Sequence, residues 1–160
     1  MSSFQQLYEA YWTRIYRLCL GYVGDHEWAK DVCQECFEIA WRQREQFREE
    51  AEMSSWIFRI AVNLCLRQLK REQKRAGWEA EHHERQQLQP ERRTAMELRL
   101  FEAIAQLPEV DRLLISLHLE QLPQQQIADI LQISHANVRV RIHRIKEQLQ
   151  KRLEEPAHGA

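Results

Sequence analysis

The chain has 160 residues, 44% hydrophobic and 29% charged, which supplies enough apolar matter for a core and is too balanced for a disordered chain. Four glycines and four prolines are too few for the turns of an all-β fold, while Gln, Glu, Arg and Leu, all helix formers, dominate. The predicted class is all-α. No apolar run reaches the roughly eighteen residues of a membrane span, and the opening MSSFQQLYEAYWTR lacks the basic and apolar stretches of a secretory signal. Four cysteines without such a signal predict free thiols in a reducing compartment, the cytoplasm.

The net charge of −1 conceals a segregated pattern. Residues 25–52 hold nine acids against Lys30, Arg42, Arg44 and Arg48, a net of −5. Residues 54–76 carry a net of +5, and so do residues 134–153. Two basic stripes separated by acidic stretches predict two contacts with a polyanion, although either stripe alone is also what a solvated helix face looks like.

Phe4, Leu7, Tyr8, Tyr11, Ile15, Leu18, Cys19 and Tyr22 recur at three and four residues and predict a first amphipathic helix, ended by Gly21 and Gly24-Asp25. A second helix is predicted from His26 to Phe47, with Val32, Cys36, Ile39, Ala40 and Phe47 inward and its acids outward. After a polar loop over 48–53, Ser54 is the expected cap of a third helix reaching about Arg75. Trp56, Ile57, Ile60, Ala61, Leu64 and Leu69 form its inner stripe. These helices make a first domain, residues 1–76. Residues 77–94, GWEAEHHERQQLQPERRT, are polar, contain Pro90 and read as a linker. Helical periodicity resumes at Met96, Leu100, Ile104 and Leu107 and opens a second domain, residues 95–155. Pro108 and Pro123 each mark a helix start, and a last helix begins after Ser134.

The stretch PQQQIADILQISHANVRVRIHRIKEQL reads as a helix-turn-helix. Val138, Ile142, Ile145 and Leu149 fall on one stripe, facing inward. At 100° per residue Ala136, Val140, His143, Arg144 and Glu147 lie opposite, with Arg139 on the flank. A major groove accepts one α-helix, where Arg addresses guanine edges and an apolar side chain the thymine methyl. An outward valine among arginines suits that role better than a solvated face. The fold expected is therefore two small helical domains joined by a polar linker, the C-terminal one a helix-turn-helix.

Taken together, AKDVCQECFEIAWR, SSWIFRIAVNLCLRQLKR, QLPEVDRLLISLHLEQLPQQQIADILQIS and NVRVRIHRIKEQL resemble a bacterial RNA polymerase sigma factor of the short, extracytoplasmic-function (ECF) type. The resemblance runs from Phe4 to about Leu153. It implies that Asp31, Gln34, Glu35, Phe37 and Trp41 dock on core RNA polymerase, the acidic helix meeting a basic partner. Residues 48–53 and the helix from Ser54 would meet the melted −10 promoter strand, with Trp56, Arg59, Asn63, Arg67, Lys70 and Arg71 as candidates; cations follow phosphates and amides read unstacked bases. Ser134, Ala136, Asn137, Arg139, Val140, His143 and Arg144 would meet the −35 duplex. The resemblance also implies an anti-sigma partner and the absence of the extra domains of housekeeping sigma factors. Departures fall on the reading pair: Gln126-Ile127-Ala128 stands for the family's Glu-Ile-Ala, Gln132 for a turn glycine, and Ala136-Asn137-Val138 for Gly-Thr-Val. They leave the −35 sequence open.

Two other readings compete. A stand-alone helix-turn-helix regulator would leave the first domain without a role. A metal or redox sensor could use Cys33 and Cys36 with His82-His83, but no second CxxC completes a structural zinc set, and a cysteine on an apolar stripe acts as a small hydrophobe. His26 and His118 are expected at the surface or in packing. No phosphate loop, HExxH, GxSxG or paired-carboxylate motif is present, so no enzyme, cofactor or metal is expected. A monomer without membrane insertion is the expected free state.

Overall fold

A computed structural model describes residues 3–47, 53–79 and 94–155, giving for 68–79 the helix without the side chains. Seven α-helices and no strand occur among the described residues: α1 (Ser3–Val23), α2 (His26–Arg42), α3 (Met53–Glu79), α4 (Ala95–Ala105), α5 (Glu109–Leu119), α6 (Gln124–Leu131) and α7 (His135–Glu154). A short 3-10 turn, Arg44–Gln46, follows α2.

The helix ends follow local chemistry. Gly24 adopts φ +74° and donates its N–H to the Leu20 carbonyl, closing α1 in a conformation that only glycine adopts without strain. Asp25 then caps α2, its carboxylate accepting the Trp28 N–H at 2.9 Å. Thr94 caps α4 through the Glu97 N–H, and Ser134 caps α7 through the Asn137 N–H, each at 3.1 Å. Pro108 and Pro123 sit at the caps of α5 and α6, one residue before each helix, where a missing N–H costs nothing.

Several expected boundaries move. Gly21 does not end α1; it lies inside the helix, buried, because α5 approaches too closely there for a side chain. The second helix stops at Arg42, where the 3-10 turn takes over, rather than running to Phe47. Ser54 is not a cap; α3 already begins at Met53, and the Ser54 hydroxyl is engaged by α6 instead. The third helix continues past Arg75 to Glu79. Most of the loop over 48–53, and of the linker with His82-His83 and Pro90, lies outside the described residues.

The core is centred on α1, which packs against α2, α3, α4 and α5. Ile15, Leu18 and Cys19 of α1 meet Val32, Cys36 and Ala40 of α2 and Ile57, Phe58, Ala61 and Cys65 of α3, all essentially without exposure. Phe58, Val62 and Cys65 belong to this interior although the expected inner stripe of α3 omits them; α3 meets α6 as well as α1 and α2 and so buries more than one face. The helix-turn-helix half has its own stripe, Ile104, Leu113, Leu114, Leu117, Ile127, Val138, Ile142, Ile145 and Leu149. Met96, assigned to that periodicity, is 59% exposed at the start of α4 and contributes little. The two halves do not stand apart: α5 lies on α1, and α6 on α3.

Candidate protein and nucleic-acid interfaces

The helix-turn-helix is α6, a tight turn, and α7. Gln132 makes the turn at φ +57°, the left-handed region where glycine is at ease, and its N–H returns to the Ala128 carbonyl. Along α7 the inward set is sealed, Val138 and Ile145 showing no exposure, while Val140, two residues on, is 62% exposed. Ala136, Asn137, Arg139 and His143 share the exposed side. His143 Nε2 lies 3.2 Å from the Glu147 carboxylate one turn later. Arg144, half exposed, reaches back to the Asp111 carboxylate at 4.0 Å, and Arg141 approaches the same group at 3.9 Å. Asp111 is nearly buried on α5, so it steadies the basic face from beneath. Ser134 spends its hydroxyl on the cap, which leaves its contribution to any partner at the helix start, where amide dipoles favour a phosphate.

On α3, Arg59, Asn63 and Arg67 recur every four residues and are all exposed, making one polar and basic stripe. Trp56 is half-buried, its ring 5.0 Å from Phe47 at a tilt. Lys70 and Arg71 continue this helix, with side chains outside the described part. The first turn of α3 meets the helix-turn-helix directly, Gln126 Nε2 donating to Ser54 Oγ at 2.9 Å.

The α2 set divides. Asp31 and Gln34 are exposed and Glu35 half-buried, an acidic and polar face open to a partner. Trp41 is 47% exposed, with the Arg44 guanidinium 3.9 Å above its ring. Phe37 does not belong to that surface. It is 4% exposed, held between Tyr8 and Trp12 with centroids at 5.0 and 5.6 Å, because α1 covers its side of α2. It forms the floor of an aromatic groove of about 720 Å³ between α1 and α2, flanked by Phe4, Tyr8, Trp12 and Trp41. Hydrophobic periodicity places such aromatics in the core; that Tyr8 and Trp41 are exposed along one groove becomes visible only when the two helices are assembled.

The four cysteines are free and buried. Cys33 Sγ points to the Trp12 carbonyl and Cys36 Sγ to the Ile57 carbonyl, so the CxxC pair does not converge. Burial pushes the Cys33 thiol up to about 12 and raises Cys36 further. Cys19 and Cys65 face one another, Sγ to Sγ 4.0 Å, and Cys19 is raised well above its ordinary value by that contact and by burial. Such thiols are poor nucleophiles and poor ligands. Among the described residues no group of His, Cys, Asp and Glu could hold a metal ion, and no helix is long and apolar enough to cross a membrane.

A cluster that the sequence does not announce joins the halves. Glu120, 5% exposed, receives Arg17 Nε at 2.9 Å and Nη2 at 2.7 Å, a bond that raises the Arg17 pKa, while Arg14 Nη2 donates to the Glu120 carbonyl at 2.7 Å.

The family model described as sigma-70 region 2 matches residues 7–75, and that described as sigma-70, region 4, matches residues 97–149. The chain is 30% identical to the RNA polymerase sigma-H factor of Pseudomonas aeruginosa, over 95% of this chain and 86% of that protein. It is 29% identical to the ECF RNA polymerase sigma factor SigW of Bacillus subtilis, over 94% and 89%. Its fold is similar to that of the sigma factor RpoE, solved in complex with the anti-sigma factor NepR from Bartonella quintana. The TM-score is 0.85 at 19% identity, covering 98% of this chain and 100% of that one.

Proposed function

Since the chain belongs to the extracytoplasmic-function sigma factor family, we propose that it binds core RNA polymerase in the cytoplasm and directs it to promoters carrying −10 and −35 elements. The observation that carries this reading is the pairing, on one chain, of a helix-turn-helix whose exposed face mixes Val140 with arginines and a first unit with an acidic face on α2 and a basic stripe on α3. A stand-alone regulator uses only the first of these.

The working parts are residues 1–76, the connection 77–94, and residues 95–155. Asp31, Gln34, Glu35 and Trp41 face the polymerase, with Phe37 shaping the groove beneath them. Arg59, Asn63 and Arg67 lie along the melted −10 strand, where the arginines follow the phosphates and the amide addresses a base edge; Trp56, Lys70 and Arg71 extend that path. The start and outer face of α7 enter the −35 major groove: Ala136 and Asn137 approach the backbone and base edges, Arg139 and Arg144 offer donors to guanine or phosphate, and Val140 meets a thymine methyl. The chain performs no chemistry of its own; it supplies recognition to an enzyme that lacks it.

RpoE, whose fold this chain shares, was solved in complex with the anti-sigma factor NepR, and an anti-sigma protein holds this chain in check in the same manner. The direct test is co-purification with core polymerase from a mixture of purified components. Wild type co-elutes. Asp31→Lys with Gln34→Lys, both exposed, which turns the α2 face toward basic, loses that co-elution while keeping its helical content. Retention of both would remove α2 from the docking surface.

A further inference from the structure

Two arginines of α7 converge on one carboxylate of α5. From buried Val138, steps of three residues turn α7 by 300°, so Arg141 and then Arg144 lie progressively further from the inward stripe. Exposure follows that rotation: Val138 is sealed, the Arg141 side chain is 31% exposed and that of Arg144 54%. Asp111 stands at the rim of the seam between α5 and α7 and bridges the pair. Its Oδ1 faces Arg141 Nη1 at 3.9 Å and its Oδ2 faces Arg144 Nη2 at 4.0 Å. The Asp111 side chain is only 10% exposed, in the first turn of α5, where the helix dipole favours an anion. A charge so withdrawn from water needs cations beside it, and Arg141 and Arg144 supply them.

The two cations are unequally placed. Arg141 is half-buried at the seam and anchors the carboxylate. Arg144 lies one turn after Val140, on the same exposed row. Both approaches are longer than a hydrogen bond, so the carboxylate attracts the Arg144 guanidinium without using up its N–H donors. An arginine ordered from free solution loses rotamer freedom on meeting a base; one already drawn to a fixed charge loses less. We propose that Asp111 is a positioning residue for promoter recognition: it aims the Arg144 fork at a base edge beside the one met by Val140, with Arg141 as its anchor. The role in promoter reading rests on the sigma assignment; the hold of Asp111 on Arg144 does not. An anion close to the reading face repels phosphate, so Asp111 adds no affinity by charge. Its contribution is sequence preference, which separates it from the cations around it.

The test is competition binding by holoenzyme reconstituted from core polymerase and the full chain, with a promoter fragment selected from genomic DNA and an unrelated duplex at one salt concentration. Asp111→Asn, nearly isosteric, lowers the preference for the promoter about tenfold, the size of one good base contact, while affinity for the unrelated duplex stays level or rises. Arg144→Ala lowers the preference similarly, and adding Asp111→Asn to it changes nothing further, since the carboxylate acts through that arginine. Loss of fold does not produce this pattern, because a smaller active fraction weakens binding to both duplexes alike. Urea denaturation checks each variant, and Asp111→Ser answers the question if Asp111→Asn does not fold. Equal loss on both duplexes, unchanged preference, or additive loss in the double variant overturns the positioning role. Wild-type holoenzyme without promoter preference overturns the sigma reading instead. The hold on Arg144 is then read on the full chain alone, where the heteronuclear NOE of the Arg144 side-chain Nε–H falls in Asp111→Asn; an unchanged value overturns it.

Discussion

Three consecutive residues of α7, Val138, Arg139 and Val140, separate folding from recognition. Val138 is fully buried, so Val138→Ala removes two carbons from the core, about 0.8 kcal/mol each, and leaves a small cavity. The expected loss of stability is about 2–3 kcal/mol, a large part of a domain's typical margin of about 5–15 kcal/mol. Val140 is 62% exposed, so the same change there forfeits only about 0.5 kcal/mol of burial, and the better helix propensity of alanine offsets it. Its stability should not move. Its promoter affinity should fall by about 1 kcal/mol, roughly fivefold, and only for sites with a thymine at the contacted position. Arg139→Ala should cost about 1–3 kcal/mol if it pairs with a guanine; if it contacts a phosphate instead, the loss is uniform across sequences and the salt slope falls by about one. The assays are urea denaturation of the full chain and competition binding of holoenzyme to promoter fragments at fixed salt. Val140→Ala that destabilises like Val138→Ala, or that leaves promoter preference intact, would refute the orientation of α7.

Other expectations follow from single features. Gln132→Gly should relieve a left-handed residue and stabilise the helix-turn-helix by about 0.5–1 kcal/mol, seen as a higher urea midpoint; a lower midpoint would show that the Gln side chain matters more than the turn. Asn63→Ala with Arg67→Ala should leave duplex binding by holoenzyme near normal and reduce permanganate reactivity of melted −10 thymines; equal loss of both would contradict a role in melting. Native thiols should resist Ellman's reagent at pH 8, since a group near 12 is ionised about once in ten thousand molecules, and all four should react in denaturant; rapid native titration would reopen the redox reading. Because burial raises Cys33 from 9.0 to about 12, the folded chain holds a proton that the unfolded chain releases. Its stabilising contribution is complete below pH 9 and is lost as pH rises toward 12, which denaturation in that window measures against Cys33→Ala.

Periodicity made α7 legible in full: the spacing of Val138, Ile142, Ile145 and Leu149 names the buried stripe, and the outward position of Val140 follows by rotation alone. Capping and proline chemistry likewise places Ser134, Pro108 and Pro123, because those signals act within one turn of the chain. What one dimension hides is contact across long separations. Arg17 and Glu120 are 103 residues apart, Ser54 and Gln126 are 72 apart, and nothing local in either pair announces the other. The same reason turns Gly21 from an apparent helix breaker into a close-approach point, and Ser54 from an apparent cap into an acceptor. Phe37 falls on α2 where a docking residue would be expected by resemblance, yet α1 roofs it, so a matching motif position and an exposed position are different things.

This chain confers promoter selection on a polymerase that lacks it. Its most direct test is transcription by purified bacterial core polymerase over a genomic fragment library, with and without the chain, with start sites mapped. The chain should produce new, discrete start sites that share −35 and −10 sequences and disappear with Arg139→Glu and Arg144→Glu. Failure of the folded chain, free of any inhibitor, to bind core or to produce such sites would contradict it.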